Sequence, residues 1–512
     1  LYDPNTGTKL VPNSSGVIDL TTALGSEAIN WNTTAAKAGQ LIANLGFPAP
    51  TNSILSNNYN FNETRSENMN EYSGRLDYKF TEKDSVNGSY NAFIDPAFEP
   101  SNSLCSSYVL PNFGCYTNQI STLINATYVR VFTPSIVNSL TLGYQRLQQP
   151  RVQQDDTTIG PAYTGLPGGP YFTTPNYANN FGLPNVSVSG YATIGGATNL
   201  PQNRWDSHYQ IADSVSWTKG PHTFTFGTQA LLVRTINLIT STGRGSFSVN
   251  DANIVTAQGK TAVLPHLGSV GNSLADFLLG LTYSSTMGPT ASNVYLNFQS
   301  QDFFVQDDWK LRPNLTLNLG VRYELDHPVY SPNSTASNFN LSQQVYQVVG
   351  QNGNSSALYN LDANNFAPRL GFSYSPFNDN KTIFKGAGGI FYNMPLTYNQ
   401  FLTNGTQAPF RYVSTYNSAA SKPGTINTIQ LGTPFSIPNT ASPVPCTSPT
   451  QTGCSASLAA LNIQPGYRTP YLSEWSFGVE RSLTKSMVLE TTYFGSKGTK
   501  LPLSVPVNVI NP

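Results

Sequence analysis

The stretch LTLNLGVRYEL, residues 315–325, decides the class of fold to which this chain belongs. Its odd-numbered positions are apolar, and its even-numbered positions are polar or glycine. Neighbouring side chains of a β-strand point to opposite faces, so the pattern predicts a strand with one apolar and one polar face. Strands of globular proteins usually run to about five or six residues. An alternation of this length therefore indicates a protein in which long strands have different surroundings on their two faces.

The composition of the 512 residues favours the same class of protein. Charged residues make up 11% of the chain, against about 25% in ordinary soluble proteins. Aromatic residues make up 12%, with 28 Tyr and 27 Phe. Little charge and many aromatics indicate an all-β protein that is secreted or lies in an outer membrane. The 27 basic residues balance the 27 acidic ones, so nucleic acid is not expected as a partner.

Two further observations concern membrane helices and targeting. No stretch has the roughly 20 apolar residues that a membrane helix needs. The first residues carry no signal-peptide pattern. A cytosolic protein and a piece of a longer precursor both fit these observations, and the composition favours the piece.

Strand patterns come in pairs that are joined by three to six turn-forming residues. Such short separations, rich in Pro, Asn, Asp, Gly and Lys, predict tight antiparallel hairpins. The six predicted hairpins are 71–80 with 85–94, 124–132 with 136–146, 208–217 with 222–233, 300–311 with 315–325, 367–375 with 382–392, and 472–483 with 487–496.

Long connections alternate with these short turns. They are rich in Pro, Gly, Asn, Ser and Tyr and cover 95–119, 147–204, 234–293, 326–366 and 393–470. Connections beyond about 15 residues are unusual in a compact soluble domain. An antiparallel transmembrane β-barrel has this alternation, with short periplasmic turns and long extracellular loops. We therefore predict an all-β barrel of the outer membrane, of which about 12–14 strands are present in this chain.

The two faces of the predicted strands assign roles to particular side chains. The polar face is expected to line a water-filled lumen and to carry Arg75, Asp77, Lys79, Arg322, Glu324 and Arg369. The apolar face is expected to contact lipid, with an aromatic girdle formed by Trp217, Trp309 and Trp475. Three charges interrupt the apolar face near short turns, which predicts positions at the membrane interface: Asp213, Asp307 and Arg481. In the segment 120–132 the pattern fits either face.

The four cysteines form two local pairs in turn-rich stretches. No CxxC spacing and no neighbouring histidine suggests a zinc site. We predict two disulfides that staple loops, Cys105–Cys115 and Cys446–Cys454. The alternative is four free thiols in a reducing compartment.

The block SQDFFVQDDWKLRPNLTLNLGVRYELDHPVYSPN at 300–333 resembles the barrel of TonB-dependent outer-membrane receptors. The similarity is to the Oar-like subgroup, whose members often carry a carboxypeptidase-regulatory-like domain at the N-terminus. Segments 70–90, 273–281, 364–393 and 471–502 resemble the same subgroup.

The resemblance implies a barrel of about 22 strands with a plug domain inside it, and transport that is energised by the TonB complex. A plug segment, a TonB box and a final aromatic-ended strand are not recognisable in this sequence. We therefore expect a partial barrel over residues 61–512, preceded by a long extracellular loop region over residues 1–60. The expected partners are outer-membrane lipid, the TonB complex through a plug outside this chain, and a large solute such as a siderophore, an oligosaccharide or a peptide.

The Tyr- and Asn-rich loop segments 160–182 and 398–418 are candidates for contact with that solute. Aromatic rings and amides suit carbohydrate or amphipathic ligands, although ordinary loop packing explains the same composition. Neither the identity of the solute nor the direction of transport follows from the sequence.

Enzyme chemistry and cofactors are not predicted. The four histidines are scattered and fit no metal-ligand spacing. Asp307 and Asp308 are neighbours in a strand and point to opposite faces, so they cannot act together as acid and base. Two alternatives to the receptor stay open: a passive porin, and a secreted all-β adhesin in which a second sheet covers the apolar faces. A polysaccharide-degrading enzyme would need paired carboxylates across a cleft, and the sequence shows none.

Overall fold

The fold is given by a computed structural model, which describes the strands and part of the long connections. The described residues are 14, 39–40, 42–43, 47–53, 58–100, 110–156, 183–240, 242, 244–250, 273–278, 280, 282–287, 292–377, 381–394, 401, 404–410, 414–417, 444–448, 450–451, 454–455 and 461–505. Most of the predicted loop region over residues 1–60 lies outside them. So do Cys105, the loop segment 160–182 and part of the loop segment 398–418.

The described residues form 22 strands. The strands are β1 (Ser66–Glu67), β2 (Asn70–Lys79), β3 (Asp84–Glu99), β4 (Cys115–Thr133), β5 (Ile136–Gln148), β6 (Arg151–Gln153), β7 (Asn185–Val188), β8 (Gln202–Lys219), β9 (His222–Ile239), β10 (Ser246–Val249), β11 (Ser284–Met287), β12 (Ser292–Arg312), β13 (Leu315–Asp326), β14 (Ser337–Asn340), β15 (Val345–Val348), β16 (Asn365–Tyr374), β17 (Thr382–Tyr392), β18 (Ser414–Asn417), β19 (Val444–Pro445), β20 (Cys454–Ser455), β21 (Tyr471–Thr484) and β22 (Met487–Thr499). A 3-10 helix covers Gln154–Asp156, and a short α-helix, α1, covers Ser273–Leu278. No helix among these residues has the length and apolar content needed to cross a membrane.

One antiparallel sheet of 14 strands dominates the described part of the chain. Its order is β1-β3-β4-β5-β8-β9-β12-β13-β16-β17-β21-β22, with β2 beside β3, and β6 beside β4 and β8. All six predicted hairpins are present as adjacent strands, so the prediction of an all-β antiparallel architecture is confirmed. Several strands extend beyond the prediction at the end that carries the long connections; β12, for example, has 21 residues.

Cross-strand register joins the apolar positions of β13 to those of its neighbours. Val321 lies opposite Val305 on β12, and Leu319 lies opposite Leu370 on β16. We call the face that carries these residues the apolar face, and the opposite face the polar face. In the ambiguous segment 120–132, Tyr128 lies opposite Leu140 of β5. Continuation of that register through β8, β9 and β12 places Tyr128 on the apolar face.

The apolar face is exposed along the sheet. The exposed fractions are 70% for Leu76, 58% for Leu370 and 52% for Phe303. An adhesin with a second sheet over this face would bury these side chains. Exposure of a continuous apolar face is instead the arrangement that a barrel wall presents to lipid.

The strand β12 changes its apolar face partway along. From Asp302 to Arg312 the apolar residues are mainly odd-numbered, as in Phe303 and Val305. Nearer the long connections the even-numbered Val294, Leu296 and Phe298 are apolar and fully buried. The pairing of β12 with β9 runs without a register shift through both parts, so the change lies in residue type and not in a bulge. The exposed apolar band therefore ends near residue 301, and the strand continues beyond it.

A separate buried core lies among the long connections. Strands β18, β11, β10 and β7 form a small separate sheet in that order. Phe247 of β10, Val186 of β7 and Phe277 of α1 are fully buried in its core. The helix α1 lies in SLADFLLGL, the most apolar short run of the sequence, and its apolar residues serve loop packing. The long connections thus contain folded structure of their own.

Candidate functional site

The polar face of β12, β13, β16, β17 and β21 collects the charged side chains that are candidates for function. The predicted residues Arg322, Glu324 and Arg369 lie there, because register places Arg322 opposite Phe304 on β12 and Gly320 opposite Arg369 on β16. Arg75, Asp77 and Lys79 lie at the far edge of the sheet on β2. The structure therefore separates the six predicted polar-face residues into two groups.

Arg322 is the centre of a network of ion pairs and hydrogen bonds. Its Nη2 lies 2.6 Å from Oδ2 of Asp302, and its Nε lies 3.3 Å from Oε1 of Glu324. It also donates to the amide oxygen of Gln229 at 3.4 Å. Asp302 is buried and was missed in the sequence, although its even number places it on the polar face. Arg322 therefore stabilises a carboxylate that would otherwise be buried without a counter-charge.

Some of the remaining charged groups of the polar face fall into pairs, whereas others, Asp308, Lys310 and Glu490 among them, have no ion-pair partner in the described ranges. Arg75 and Asp77 are 2.7 Å apart and exposed, Lys79 pairs with Glu82, and Lys385 pairs with Glu480. Arg369 and Glu474 form no ion pair with any residue in the described ranges, and the guanidinium of Arg369 lies 4.7 Å from the ring centre of Phe391. No sequence signal selects Glu474, Lys385 or Glu480 beyond their polar positions in predicted strands.

Arg369 and Glu474 border a cavity of about 430 Å³ on the polar face. Its other polar lining includes Gln306 and Asn318, and its aromatic lining includes Phe391 and Phe494. Small-molecule sites usually have volumes of about 300–1,000 Å³ and combine apolar lining with a few polar groups. The cavity has both properties. We call it the inner groove.

No group of three or more His, Cys, Asp or Glu side chains within the described residues is arranged to hold a metal ion. Asp307 and Asp308 lie on opposite faces, since Asp308 accepts from Gln306 and Asn318 on the polar face while Asp307 contacts His222 on the other.

Comparison with known families decides the class to which this sheet belongs. The family model described as "Outer membrane beta barrel domain" matches residues 1–512. The chain belongs to the outer membrane β-barrel family. Its location is therefore the bacterial outer membrane, and its exposed apolar face is the surface of a barrel wall. A comparison with curated proteins finds no match to this sequence.

Solved structures with a similar arrangement are outer membrane transporters and receptors. The transporter YddB from Escherichia coli has a TM-score of 0.45 and 11% identity, over 84% of this chain and 40% of that one. The siderophore receptor PirA from Acinetobacter baumannii has a TM-score of 0.41 and 11% identity, over 85% and 43%. For the alcaligin receptor FauA from Bordetella pertussis the values are 0.37, 9%, 86% and 55%. This outer membrane barrel chain thus spans about half the length of these structures.

Two of the three predicted girdle tryptophans of this barrel wall lie in an aromatic cluster at the short turns. Trp217 lies 5.8 Å from Phe224 between ring centres, and Trp309 stacks on His222 at 5.1 Å. The ammonium of Lys219 lies 5.2 Å from the Trp217 ring. Trp475 is separate from this cluster: it lies near the other end of its strand, opposite Gly495. Aromatic residues with polar atoms favour the membrane interface, and the role of all three tryptophans as girdle residues stays a prediction.

The three charges on the apolar face each have a polar partner on that face. Asp213 accepts from the Asn138 amide at 2.6 Å. Asp307 lies 2.7 Å from Nδ1 of His222, and Arg481 donates to the Thr382 hydroxyl at 2.6 Å. A charge on the lipid face of a barrel is costly at mid-bilayer and nearly free of cost at the interface. Local partners near the short turns lower that cost further.

The long connections cover the polar face of this barrel at its far end. Val294, Leu296 and Phe298 of β12 pack against Val329, Ala336, Val349, Leu358 and Phe401 of the connections. We call this set the cap cluster. Tyr359 packs in it as well, and burial raises the pKa of its phenol above the ordinary value. The cap cluster holds the connections over one end of the polar face.

Cys115 and Cys446 are both disulfide-bonded. The backbone of Cys454 lies in a short parallel ladder beside Val444, two residues before Cys446. The predicted pairings, Cys105 with Cys115 and Cys446 with Cys454, stay predictions. Cys105 lies outside the described residues.

Proposed function

We propose that this chain is the barrel portion of a TonB-dependent receptor of the Oar-like subgroup, which carries a large solute across the outer membrane with energy from the TonB complex. The cap cluster is the observation that carries this proposal. The residues 300–333, which resemble the receptor subgroup, include most of the β12–β13 hairpin and Val329 of the cap cluster, and β12 also carries Val294, Leu296 and Phe298 of that cluster.

A passive porin is the alternative in the same class. Free diffusion needs an open, water-filled path along the polar face. In this chain an apolar core that includes Phe298, Val329 and Leu358 is packed over that face at the loop end. Covering of this kind favours a gated route over an open pore.

The two edges of the large sheet favour a barrel that is completed by further strands or by closure on itself. Among the described residues, β22 pairs only with β21, and β2 pairs only with β3. Unpaired backbone groups are too costly in lipid for an open edge to persist there. A receptor with additional strands and a plug supplies the partners that these edges need, and the resemblance implies both.

The test uses the intact protein that contains this chain, reconstituted in liposomes. Liposome swelling with arabinose as the probe measures passive diffusion, and co-purification with the periplasmic domain of TonB measures coupling to the energy source. We expect no swelling above that of empty liposomes, together with retention of the TonB domain. Swelling without TonB retention would contradict the receptor proposal and favour a passive porin.

A further inference from the structure

The inner groove has a floor of small residues. Gly320, Gly371, Ala387 and Gly389 lie on the three adjacent strands β13, β16 and β17 and line it. Register places Gly371 opposite Ala387 and Gly389 opposite Arg369. Small residues in neighbouring positions of a sheet leave the backbone open to close approach by another molecule. Side chains lie over part of this floor, since Arg369 Cγ is 3.2 Å and Asn318 Oδ1 is 3.4 Å from the Cβ positions of Gly389 and Gly371. The space above the rest of the floor is the groove that a ligand could enter.

Two opposite charges stand on either side of this floor in one cross-strand row. Arg369 on β16 lies opposite Gly389 on β17, and Gly389 lies opposite Glu474 on β21. Strands are spaced by about 4.8 Å, so the two Cα atoms are about 9.5 Å apart. Neither charge has an ion-pair partner in the described ranges, whereas Arg75, Arg322 and Lys385 on the same face each have one. The row therefore offers one available cation and one available carboxylate at a fixed separation.

Aromatic rings complete the groove beside the two charges. Phe391 lies against the guanidinium of Arg369 at 4.7 Å, which orients that group while leaving its N–H donors available. Phe494 lines the groove on β22, beyond Glu474. Asn318 and Gln306 add amide donors and acceptors at the opposite side. Such lining suits a ligand that has a polar backbone and an apolar body.

From this arrangement we infer that the inner groove binds the termini of a short zwitterionic peptide of about two or three residues. Its carboxylate accepts hydrogen bonds from Arg369, its ammonium group donates to Glu474, and its backbone lies over the glycine floor. An extended residue adds about 3.3–3.6 Å, so two or three residues match the separation of the Cα atoms of Arg369 and Glu474. The inference rests on the proposed function, because it names the class of solute that enters the lumen.

The experiment measures peptide binding by isothermal titration calorimetry on the intact protein, with the tripeptide Ala-Phe-Ala as the probe. Three forms are compared: the free peptide, the N-acetylated peptide and the C-amidated peptide. We expect the free peptide to bind and each blocked form to bind at least about tenfold more weakly, because each lacks one charge-assisted hydrogen bond. This comparison needs no variant and is independent of folding effects.

Variants assign the two ends of the peptide. Arg369→Gln is expected to weaken the free peptide about tenfold and to leave the affinity of the amidated peptide unchanged. Glu474→Gln is expected to weaken the free peptide about tenfold and to leave the affinity of the acetylated peptide unchanged. Arg75→Gln is the matched control, since Arg75 is on the same face, is paired with Asp77 and lies outside the groove. Gly371→Val fills the floor and should abolish binding, whereas Gly143→Val, a polar-face glycine outside the groove, should not.

Three results would overturn the inference. Equal binding of the free and blocked peptides would exclude recognition of the termini. Equal binding by Arg369→Gln, Glu474→Gln and the native protein would exclude the groove. Absence of saturable binding in the millimolar range would indicate that another part of the intact protein fills the groove. Each of these leaves TonB retention and the swelling assay unaffected, so failure of the inference is distinguishable from failure of the proposed function.

Discussion

At three positions in the described strands a glycine is covered by the aromatic side chain directly opposite it on a neighbouring strand. The pairs are Gly227 with Phe304, Gly386 with Phe372, and Gly495 with Trp475. A Cβ atom on these glycines would lie 2.3, 2.3 and 2.5 Å from the aromatic side chain. The ring covers the bare backbone of the glycine, which stabilises a position that is otherwise poor in a strand. This explains Gly227 in FTFG at 224–227 and Gly386 in KGAGG at 385–389.

The replacement Gly227→Ala tests this packing. Its methyl group would displace the ring of Phe304, so we expect the free energy of unfolding to fall by about 1–3 kcal/mol. Gly143→Ala is the control, because the nearest atom to its Cβ is 3.5 Å away, in ordinary contact. Urea unfolding in detergent micelles, followed by tryptophan fluorescence, gives the two values. Equal destabilisation by both variants would contradict the packing argument.

The network at Arg322 makes a second prediction for single residues. Arg322→Met leaves the buried carboxylate of Asp302 without its counter-charge, and removal of one partner of a buried pair costs about 3 kcal/mol or more. The exposed pair of Arg75 and Asp77 provides the comparison: Arg75→Met should have little effect on the free energy of unfolding, because solvent screens an exposed ion pair. Urea unfolding in detergent micelles, followed by tryptophan fluorescence, measures both variants. A cost below that of Arg75→Met would show that Asp302 is not held by this pair.

At the scale of elements, β12 combines two strands of opposite amphipathicity in one. The part near the short turn presents Phe303 and Val305 on the exposed apolar face. The part near the long connections presents Val294, Leu296 and Phe298 on the opposite face, where they belong to the cap cluster. The change of face near residue 301 marks the level at which lipid gives way to water outside and to the protein's own loops inside. One strand thus contributes to the lipid-facing wall with one part and to the cap cluster with the other.

Two phenylalanines of this one strand form a matched test. Phe298→Ala removes a fully buried ring from the cap cluster, and such truncations cost about 3–5 kcal/mol. We expect faster cleavage of the connection 327–364 in limited proteolysis of the intact protein that contains this chain, and no change in the heat-modifiable mobility of that protein. Phe303→Ala removes an exposed ring of the apolar face and should leave the cleavage rate unchanged. If both variants were cleaved at the native rate, the cap cluster would not be what orders the connection.

For the whole molecule, the open edges of the sheet determine whether the chain can insert into a membrane without further strands. The outermost strands β2 and β22 have one partner each among the described residues. β22 also presents large apolar side chains on both faces, Leu489 and Tyr493 on one and Val488 and Phe494 on the other. Such an edge needs another strand beside it in lipid and promotes aggregation in water.

Expression of residues 1–512 alone is therefore expected not to give a stable inserted barrel. Folded outer membrane barrels resist detergent and migrate differently in gels before and after heating, so cold and heated samples report closure. We expect identical mobility for this chain alone and a heat-dependent shift for the intact protein that contains it. A heat-dependent shift from residues 1–512 alone would show that β2 and β22 close on each other.

Local pattern was sufficient for the hairpins, their short turns and the apolar face of strands such as 315–325, because side-chain alternation and turn chemistry depend only on nearby residues. It was not sufficient for the ambiguous segment 120–132, whose face depends on the partners of Tyr128. Nor did it reveal the cap cluster. The even-numbered apolar residues of β12 are buried by loops that are distant in the sequence, and no local pattern indicates those contacts. The row of Arg369, Gly389 and Glu474 joins residues from three strands of the folded sheet. Cross-strand register and loop packing brought these groups together, and register between distant segments is a property of the assembled sheet.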